Sequence, residues 1–225
     1  MFTIKDIEKT FSENSDPERA KKMAAYMTNQ FDFYGLMTDK RRALSKPYIK
    51  EGKKAETIEW IFLQELFSHN YREINYLGID LLKANSHLLI PCDFDNLVDL
   101  AKIRPWWDTI DNIDGIIGKL TDKDRDFKRK ILNLSQNPNF WLRRIAIGHQ
   151  RKFKEKTDTN LLAKIIKTNL KIPCTNKDEK FFIDKAIGWA LREYSKKNPS
   201  WVKSFLTENK NDLSKLSTRE ASKHL

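Results

Sequence analysis

Apolar residues recur at helical spacing along most of the chain. In "AETIEWIFLQELFSH" (55–69), one helical face carries Ile58, Ile61, Phe62, Leu66 and Phe67. The same spacing appears in "YREINYLGIDLLKAN", "DFDNLVDLAKI", "KDRDFKRKILNLS", "DTNLLAKIIKTNL" and "KFFIDKAIGWALREYS". Alternating β-branched residues are scarce, so the pattern predicts an all-α protein without strands.

Two prolines give local predictions about helix boundaries. In "DPERAKKMAAYMTNQF", Asp16 suits the N-cap and Pro17 the first helical position. Pro47 interrupts "RRALSKPYIKE", where the missing backbone N–H predicts a kink or a break.

A weak repeat is visible in helices that are led by an aromatic residue. These helices begin near Tyr71, Trp107, Trp141 and Phe182, at separations of 36, 34 and 41 residues. Most intervals hold a second helix, which is typical of a HEAT-like repeat solenoid of antiparallel helix pairs, curved around a concave face. A compact irregular bundle would also fit. No flexible linker is visible, so residues 1–225 are expected to form a single domain.

Charge adds a partner class to this picture. The chain has 42 Lys and Arg against 31 Asp and Glu, a formal net charge of +11. This surplus favours a polyanion, and nucleic acid before membrane, which would make the concave face basic. Basic runs offer candidate DNA contacts at Lys40, Arg41, Arg42, Arg151 and Lys152. The alternative is that such runs are only solvated faces and the protein binds no polyanion.

Several other classes of protein are disfavoured. Two cysteines, Cys92 and Cys174, cannot form a disulfide framework, and the N-terminal stretch is too polar for a secretory signal, so a cytoplasmic location is expected. No apolar run approaches a membrane span. The four histidines and two cysteines show no zinc spacing, and neither a Gly-rich phosphate loop nor Gly-x-Ser-x-Gly occurs. We therefore expect no metal and no cofactor.

The segment "IRPWWDTIDNIDG" (103–115) is a candidate site. In a helix that starts near Pro105, Trp107 and Asp111 stand at i and i+4 on one face. Asp108 in the first turn would be structural, and Trp106 would belong to the core. An indole face beside a carboxylate suits a cationic substrate. Equally, Trp107 could pack inward while Asp111 caps a neighbouring helix.

Two other segments could contribute side chains. In "WLRRIAI", Arg143 and Arg144 are expected to point different ways, one towards solvent or an acidic group and the other towards a phosphate. Trp189 follows Gly188 in mid-helix, where glycine indicates a close approach by another group. A lone mid-helix Trp is more often part of a core.

The chain resembles the HEAT-like-repeat DNA alkylation repair glycosylases, the AlkD family. The resemblance is carried by "AAYMTNQFDFYGLMTDKRRAL", "WWDTID", "NFWLRRIAI", "FFIDKAIGWALREYSKKNP" and "LSTREASKHL", which extend over essentially the whole chain. That family excises positively charged N3- and N7-alkylpurines from duplex DNA by hydrolysing the N-glycosidic bond. Its cleft residues fall, by motif, on Trp107, Asp111, Arg144 and Trp189, and Tyr26 matches an aromatic residue of the same cleft. The polar "GHQ" at 148–150 and Pro47 depart from the family.

The resemblance also implies a role for each residue. Asp111 would stabilise positive charge on the sugar, Trp107 and Trp189 would hold the deoxyribose, and Arg144 would anchor a backbone phosphate. The expected protein is thus a monomeric DNA-3-methyladenine/7-methylguanine-type glycosylase, whose partner is double-stranded DNA containing alkylated bases.

Two alternatives belong to other functional classes. One is a non-catalytic HEAT-like DNA-binding protein that recognises bent or branched DNA. The other is a helical-repeat scaffold that binds an acidic protein.

Overall fold

The computed structural model describes residues 2–225 and divides the chain into two compact units, which meet in sequence between Arg104 and Pro105. Within the described residues there is no β-strand, only an isolated bridge between Asp32 and Tyr71. The all-α class is therefore confirmed. None of the helices in this part of the chain is both long and apolar enough to cross a bilayer.

The described residues of unit 1, 2–104, form six α-helices. They are α1 (Ile4–Ser12), α2 (Pro17–Tyr26), α3 (Thr38–Gly52), α4 (Trp60–Ser68), α5 (Arg72–Ala84) and α6 (Asp93–Lys102). As predicted, Asp16 caps α2, since its side chain accepts a hydrogen bond from the backbone N–H of Arg19 at 3.0 Å, and Pro17 opens the helix.

Pro47 lies inside α3, and the helix runs through it, so the predicted break does not occur, and the alternative, a kink, stays a prediction. Contacts on either side of the proline hold the helix across the missing hydrogen bond. Arg41 pairs with Asp80 of α5 at 2.7 Å, and the Tyr48 hydroxyl lies 2.5 Å from Thr10 of α1. Tertiary packing thus outweighs the local cost of proline.

A buried carboxylate orders the connection between α2 and α3. Glu73 accepts hydrogen bonds from three successive backbone N–H groups, of Tyr34 (3.1 Å), Gly35 (2.9 Å) and Leu36 (3.0 Å). Gly35 adopts φ +85°, a conformation that L side chains disfavour. Burial raises the pKa of Glu73, and the backbone donors oppose that shift.

Unit 2 contains seven α-helices. They are α7 (Trp107–Ile117), α8 (Phe127–Leu134), α9 (Phe140–Gly148), α10 (Thr159–Lys171), α11 (Lys177–Ser195), α12 (Pro199–Glu208) and α13 (Lys215–Ala221). Helix α9 packs against both α7 and α11, and every residue from 141 to 150 is buried. Because α9 has a neighbour on each side, even its polar residues must find partners inside the unit.

The aromatic-led repeat holds for three of its four predicted positions. Helix α5 begins directly after Tyr71, α7 begins at Trp107, and α9 begins one residue before Trp141. Phe182, however, lies inside α11, because Asn176 caps that helix earlier by accepting a hydrogen bond from the N–H of Glu179 at 2.9 Å. The curvature, the basic concave face and the single domain over residues 1–225 stay predictions.

Candidate active site

The helix that carries the Trp and Asp residues begins at Trp107, with Trp106 as its N-cap in an extended conformation. This start is two residues later than predicted, but it keeps Trp107 and Asp111 one turn apart on the same face. Trp106 packs as expected, against Trp141 (ring centroids 5.7 Å apart) and Phe182 (5.2 Å). Asp108 is buried in the first turn.

Asp111 is held by a two-point ion pair with Arg144. The arginine donates from Nε to Oδ1 at 2.8 Å and from Nη2 to Oδ2 at 2.7 Å. Its Nη1 donates to the backbone carbonyl of Phe182 at 2.5 Å. One guanidinium therefore joins α7, α9 and α11. The Arg144 side chain is 4% exposed and that of Asp111 13%, so the carboxylate keeps an open edge while the arginine does not.

Both arginines of "WLRR" turn inward. Arg143 pairs with Glu179, and both side chains of that pair are buried. Arg143 thus meets an acidic group, one of the two surroundings predicted for it, whereas Arg144 faces the Asp111 carboxylate. The physical reason is that α9 is covered on both sides, so each arginine meets a carboxylate from a neighbouring helix.

Trp189 is half-buried and is surrounded by three guanidinium groups. The guanidinium carbons of Arg144, Arg151 and Arg192 lie 5.9, 5.4 and 5.5 Å from its ring centroid. Each distance is within the range of a cation–π interaction. The indole is thus fixed by cations from α9, from the segment after it, and from α11 itself.

The close approach predicted at Gly188 is confirmed. A Cβ atom at this position would lie 2.5 Å from the Cβ of Glu220 and 3.0 Å from the backbone oxygen of Ser217. Helix α13 therefore packs directly on the α11 backbone next to Trp189. Glu220 also accepts a hydrogen bond from Arg192 at 2.8 Å, which ties the same contact to the indole.

A second carboxylate lies three residues beyond Asp111, almost one helical turn further along α7. Asp114 is buried and accepts a hydrogen bond at 2.5 Å from Nη2 of Arg151, which also donates to the backbone oxygen of Asp111 at 3.0 Å. Burial raises the pKa of Asp114 to about 7; the nearby Arg151 works against this shift, and the charge of Asp111 adds to it.

Gly148 makes room for this carboxylate. A Cβ atom there would lie only 2.1 Å from Oδ2 of Asp114. The "GHQ" segment that departs from the family is therefore part of the local geometry. His149, next to Gly148, is buried among aromatic rings, and burial lowers its pKa to about 4.

The arrangement can stabilise positive charge without supplying a strong acid. Each carboxylate oxygen of Asp111 has two lone pairs, and Arg144 uses one on each. The remaining lone pairs on the open edge can accept a hydrogen bond from water or face a cation. In the described part of the chain, no group of three His, Cys, Asp or Glu side chains could hold a metal ion.

The structure brings Asp111, Arg144, Trp189 and Arg151 together, and Trp107 shares the Asp111 face of α7. Trp107 itself is half-buried. Lys152 is exposed in the segment that follows α9. These residues all belong to unit 2.

The remaining predicted residues belong to unit 1. Tyr26, the last residue of α2, is 74% exposed. Lys40 and Arg42 are exposed on α3, and the Lys40 ammonium donates to the backbone oxygen of Asn14 at 2.7 Å. Arg41 is instead buried in its ion pair with Asp80 and stacks on Tyr76 at 5.3 Å. Arg41 was predicted as a candidate DNA contact, but its side chain is buried and stabilises the packing of α3 on α5 instead.

The sequence prediction missed two contributors to the site. Arg192 stands three residues after Trp189, so helical spacing alone places it beside the ring. The carbonyl of Phe182 cannot be recognised from side-chain identity, because it is a backbone group. A cavity of about 260 Å³ lies in unit 1, where Phe2, Ile58, Phe62 and Leu81 contribute to its lining, and none of the predicted site residues lines it.

Two comparisons with known proteins indicate the same family. The family model described as "DNA alkylation repair enzyme" matches residues 7–225. A solved structure, titled "Predicted DNA alkylation repair enzyme from Enterococcus faecalis", is 35% identical and superposes with a TM-score of 0.82, covering 94% of this chain and 96% of that chain. No curated protein matches. On the family match over nearly its whole length, the chain belongs to the DNA alkylation repair enzymes.

Proposed function

We propose that this protein is a DNA glycosylase that hydrolyses the N-glycosidic bond of positively charged alkylated purines in duplex DNA, of the 3-methyladenine and 7-methylguanine type. The observation that carries the proposal is the Asp111 carboxylate, oriented by Arg144, partly exposed, and joined through that arginine to Trp189. The substrate would be bound by a monomer in the cytoplasm, without metal or cofactor.

The chemistry needs charge stabilisation more than proton transfer. When the bond between C1′ and the base nitrogen breaks, its electron pair goes to the base, and the cationic purine leaves as a neutral molecule. Positive charge then develops on the sugar, where the Asp111 carboxylate stabilises it. The oxygen of a water molecule bonds to C1′ and loses a proton to solvent. No strong general acid is required, because the leaving group is already activated by its charge.

The tryptophans would hold the sugar and the charge that develops on it. An indole face attracts a cation, and Trp189 is held in a defined orientation by three arginines. Trp107 would provide a second ring on the Asp111 face of α7. The +11 net charge would attract the DNA backbone to the protein.

The test is release of 7-methylguanine and 3-methyladenine from methylated duplex DNA under single-turnover conditions. Asp111→Asn is expected to lower the release rate by about 10²–10³-fold, as loss of one electrostatic stabiliser does in other enzymes. Its affinity for duplex DNA is expected to stay near that of the wild type. The matched control is Asp122→Asn, which removes an exposed carboxylate from the same unit. Equal release by wild type and Asp111→Asn would contradict the role of Asp111.

A non-catalytic DNA-binding protein is the second candidate. It is favoured by the fact that Arg144 engages both oxygens of Asp111, since an ion pair of this kind can serve the fold alone. This candidate predicts salt-dependent binding of duplex DNA with no base release by the wild type. Absence of DNA binding at low salt would instead favour a scaffold that binds an acidic protein.

A further inference from the structure

The two arginines nearest Asp111 differ in how many donors they have already committed. Arg144 uses Nε, Nη1 and Nη2 within the protein, and its side chain is 4% exposed. Arg151 makes its hydrogen bonds through Nη2 alone, and its side chain is 16% exposed. Among residues 2–225, no group accepts from Nε or Nη1 of Arg151. A guanidinium has five N–H donors, so three of them stay available on this side chain.

We propose that Arg151, rather than Arg144, is the residue of this site that binds a backbone phosphate of the DNA. The inference rests on the proposed function to the extent that the protein must bind DNA. It replaces the role that the family resemblance implies for Arg144, which here becomes the positioning residue of Asp111. Arg144 thus orients the carboxylate, and Arg151 fixes the DNA strand relative to that carboxylate.

Arg151 is held in place before any ligand arrives. Asp114 fixes Nη2 from one side, and the guanidinium carbon lies 5.4 Å from the centroid of the Trp189 ring. This arrangement requires a glycine at position 148, because a Cβ atom there would lie 2.1 Å from Oδ2 of Asp114 and 3.3 Å from Nε of Arg151. A side chain that is already ordered loses little entropy on binding, which favours its use as an anchor.

The surroundings of Arg151 offer further donors. Together with Lys154, Thr157 and Tyr194, Arg151 lines a small surface pocket beside α11. The carboxylate of Glu193 also lines this pocket, but it is paired with Lys196 at 2.8 Å. The Thr157 hydroxyl already donates to the backbone oxygen of Lys154 at 2.8 Å. The Lys154 ammonium, the Tyr194 hydroxyl and the free edge of the guanidinium suit the oxygens of a phosphate.

The experiment measures affinity for a duplex that contains an abasic site, so that no chemistry is involved. Phosphates next to the abasic site are replaced, one at a time, by uncharged methylphosphonates. We expect the wild type to bind more weakly when one or two particular phosphates are replaced. Replacing the same phosphates should not weaken binding by Arg151→Gln, because that variant has already lost the contact. The slope of log Kd against log salt concentration is expected to be smaller by about 0.9 for this variant than for the wild type. This is the value for one phosphate contact on B-form DNA.

Two variants serve as comparisons. Arg144→Lys should keep the wild-type sensitivity to methylphosphonates, because Arg144 does not bind phosphate in this proposal. Arg125→Gln removes an exposed arginine of the same unit and should keep it as well. Arg151→Lys should restore part of the salt dependence, since lysine binds phosphate as a point charge.

The inference is overturned if Arg151→Gln stays sensitive to methylphosphonates at the same positions as the wild type, or if Arg144→Lys loses that sensitivity. Absence of duplex binding by the wild type would overturn it too. Failure of the proposed function gives a different result. The wild type would then release no base, but its DNA affinity would still depend on the same phosphates, and Arg151→Gln would still remove that dependence.

Discussion

The Arg144 guanidinium and the Asp111 carboxylate lie edge to edge, with Nε 2.8 Å from Oδ1 and Nη2 2.7 Å from Oδ2. This geometry fixes the rotation of the carboxylate, and Nη1 carries the constraint on to the backbone of α11 through Phe182. Because α11 also carries Trp189, one buried side chain sets the position of the charge relative to the indole. The consequences can be tested by substitution.

Replacing Arg144 should separate charge from orientation. Lysine keeps the positive charge but cannot make two parallel hydrogen bonds, so Asp111 should lose its orientation. We expect Arg144→Lys to lower the rate of 7-methylguanine release by about 100-fold, since small misplacements of a reacting group have effects of this size. Arg144→Gln should in addition lower the free energy of unfolding by about 3–5 kcal/mol, because Asp111 loses its partner. Urea denaturation and single-turnover kinetics measure the two effects. If Arg144→Lys released 7-methylguanine at the wild-type rate, orientation of Asp111 by two parallel hydrogen bonds would not be needed for activity.

Two glycines of unit 2 should respond to alanine in opposite directions. At Gly188 a Cβ atom would meet the Cβ of Glu220 at 2.5 Å, so α13 must move away from α11. Gly188→Ala is expected to lower the free energy of unfolding by roughly 1–3 kcal/mol, as overpacking does. At Gly115, inside α7, an added Cβ atom would meet no described atom within 4 Å apart from its chain neighbours and the backbone of its own helix, so Gly115→Ala should raise stability by about 0.5–1 kcal/mol. Thermal unfolding of both variants provides the measurement. Equal changes would show that helix propensity, and not contact with α13, governs position 188.

His149 should make stability depend on pH. Burial lowers the pKa of His149 from 6.5 to about 4, so the unfolded chain binds a proton more readily than the folded protein between these values. Its contribution to stability is therefore complete above pH 6.5 and is lost as the pH falls towards 4. The loss is up to about 3 kcal/mol at 1.36 kcal/mol per pKa unit.

The variant His149→Leu should remove this dependence. The difference in free energy of unfolding between His149→Leu and wild type should change in favour of the variant as the pH falls from 7 to 4. The exposed His224 is the control, because His224→Gln should follow the wild-type curve. A pH-independent difference for His149→Leu would show that His149 is not held neutral by burial.

Glu220 should also make stability depend on pH, in a lower pH range than His149 does. Hydrogen bonds from Lys223 and Lys185 hold the pKa of Glu220 at about 2, against its usual value of 4.5, despite burial. The folded pKa is depressed, so the carboxylate stabilises the fold above pH 4.5, and this stabilisation is lost as the pH falls towards 2. Glu220→Gln should therefore be less stable than wild type by up to about 3 kcal/mol at pH 7, and the difference should vanish near pH 2.

Urea denaturation across this pH range measures the effect of Glu220. The control is Glu208→Gln, which changes an exposed carboxylate at the end of α12 and should leave stability nearly unchanged at every pH. A constant difference between Glu220→Gln and wild type at all pH values would mean that packing, rather than charge, accounts for the role of Glu220.

Local sequence was sufficient for those features that depend on neighbours along one helix. The helical class follows from apolar spacing, the start of α2 from Asp16 and Pro17, and the shared face of Trp107 and Asp111 from a separation of four residues. The contact at Gly188 was also visible, because a glycine in mid-helix costs stability unless something needs the space.

Partners far apart in the chain were decided only by the tertiary structure. Adjacent arginines on α9 look alike in the sequence, yet Arg143 pairs with Glu179 and Arg144 with Asp111, 36 and 33 residues away. Arg41 is buried although it sits in an exposed-looking basic run. Which carboxylate faces which arginine depends on the helices that pack together, because ion pairs form through space and periodicity records only the face of a single helix.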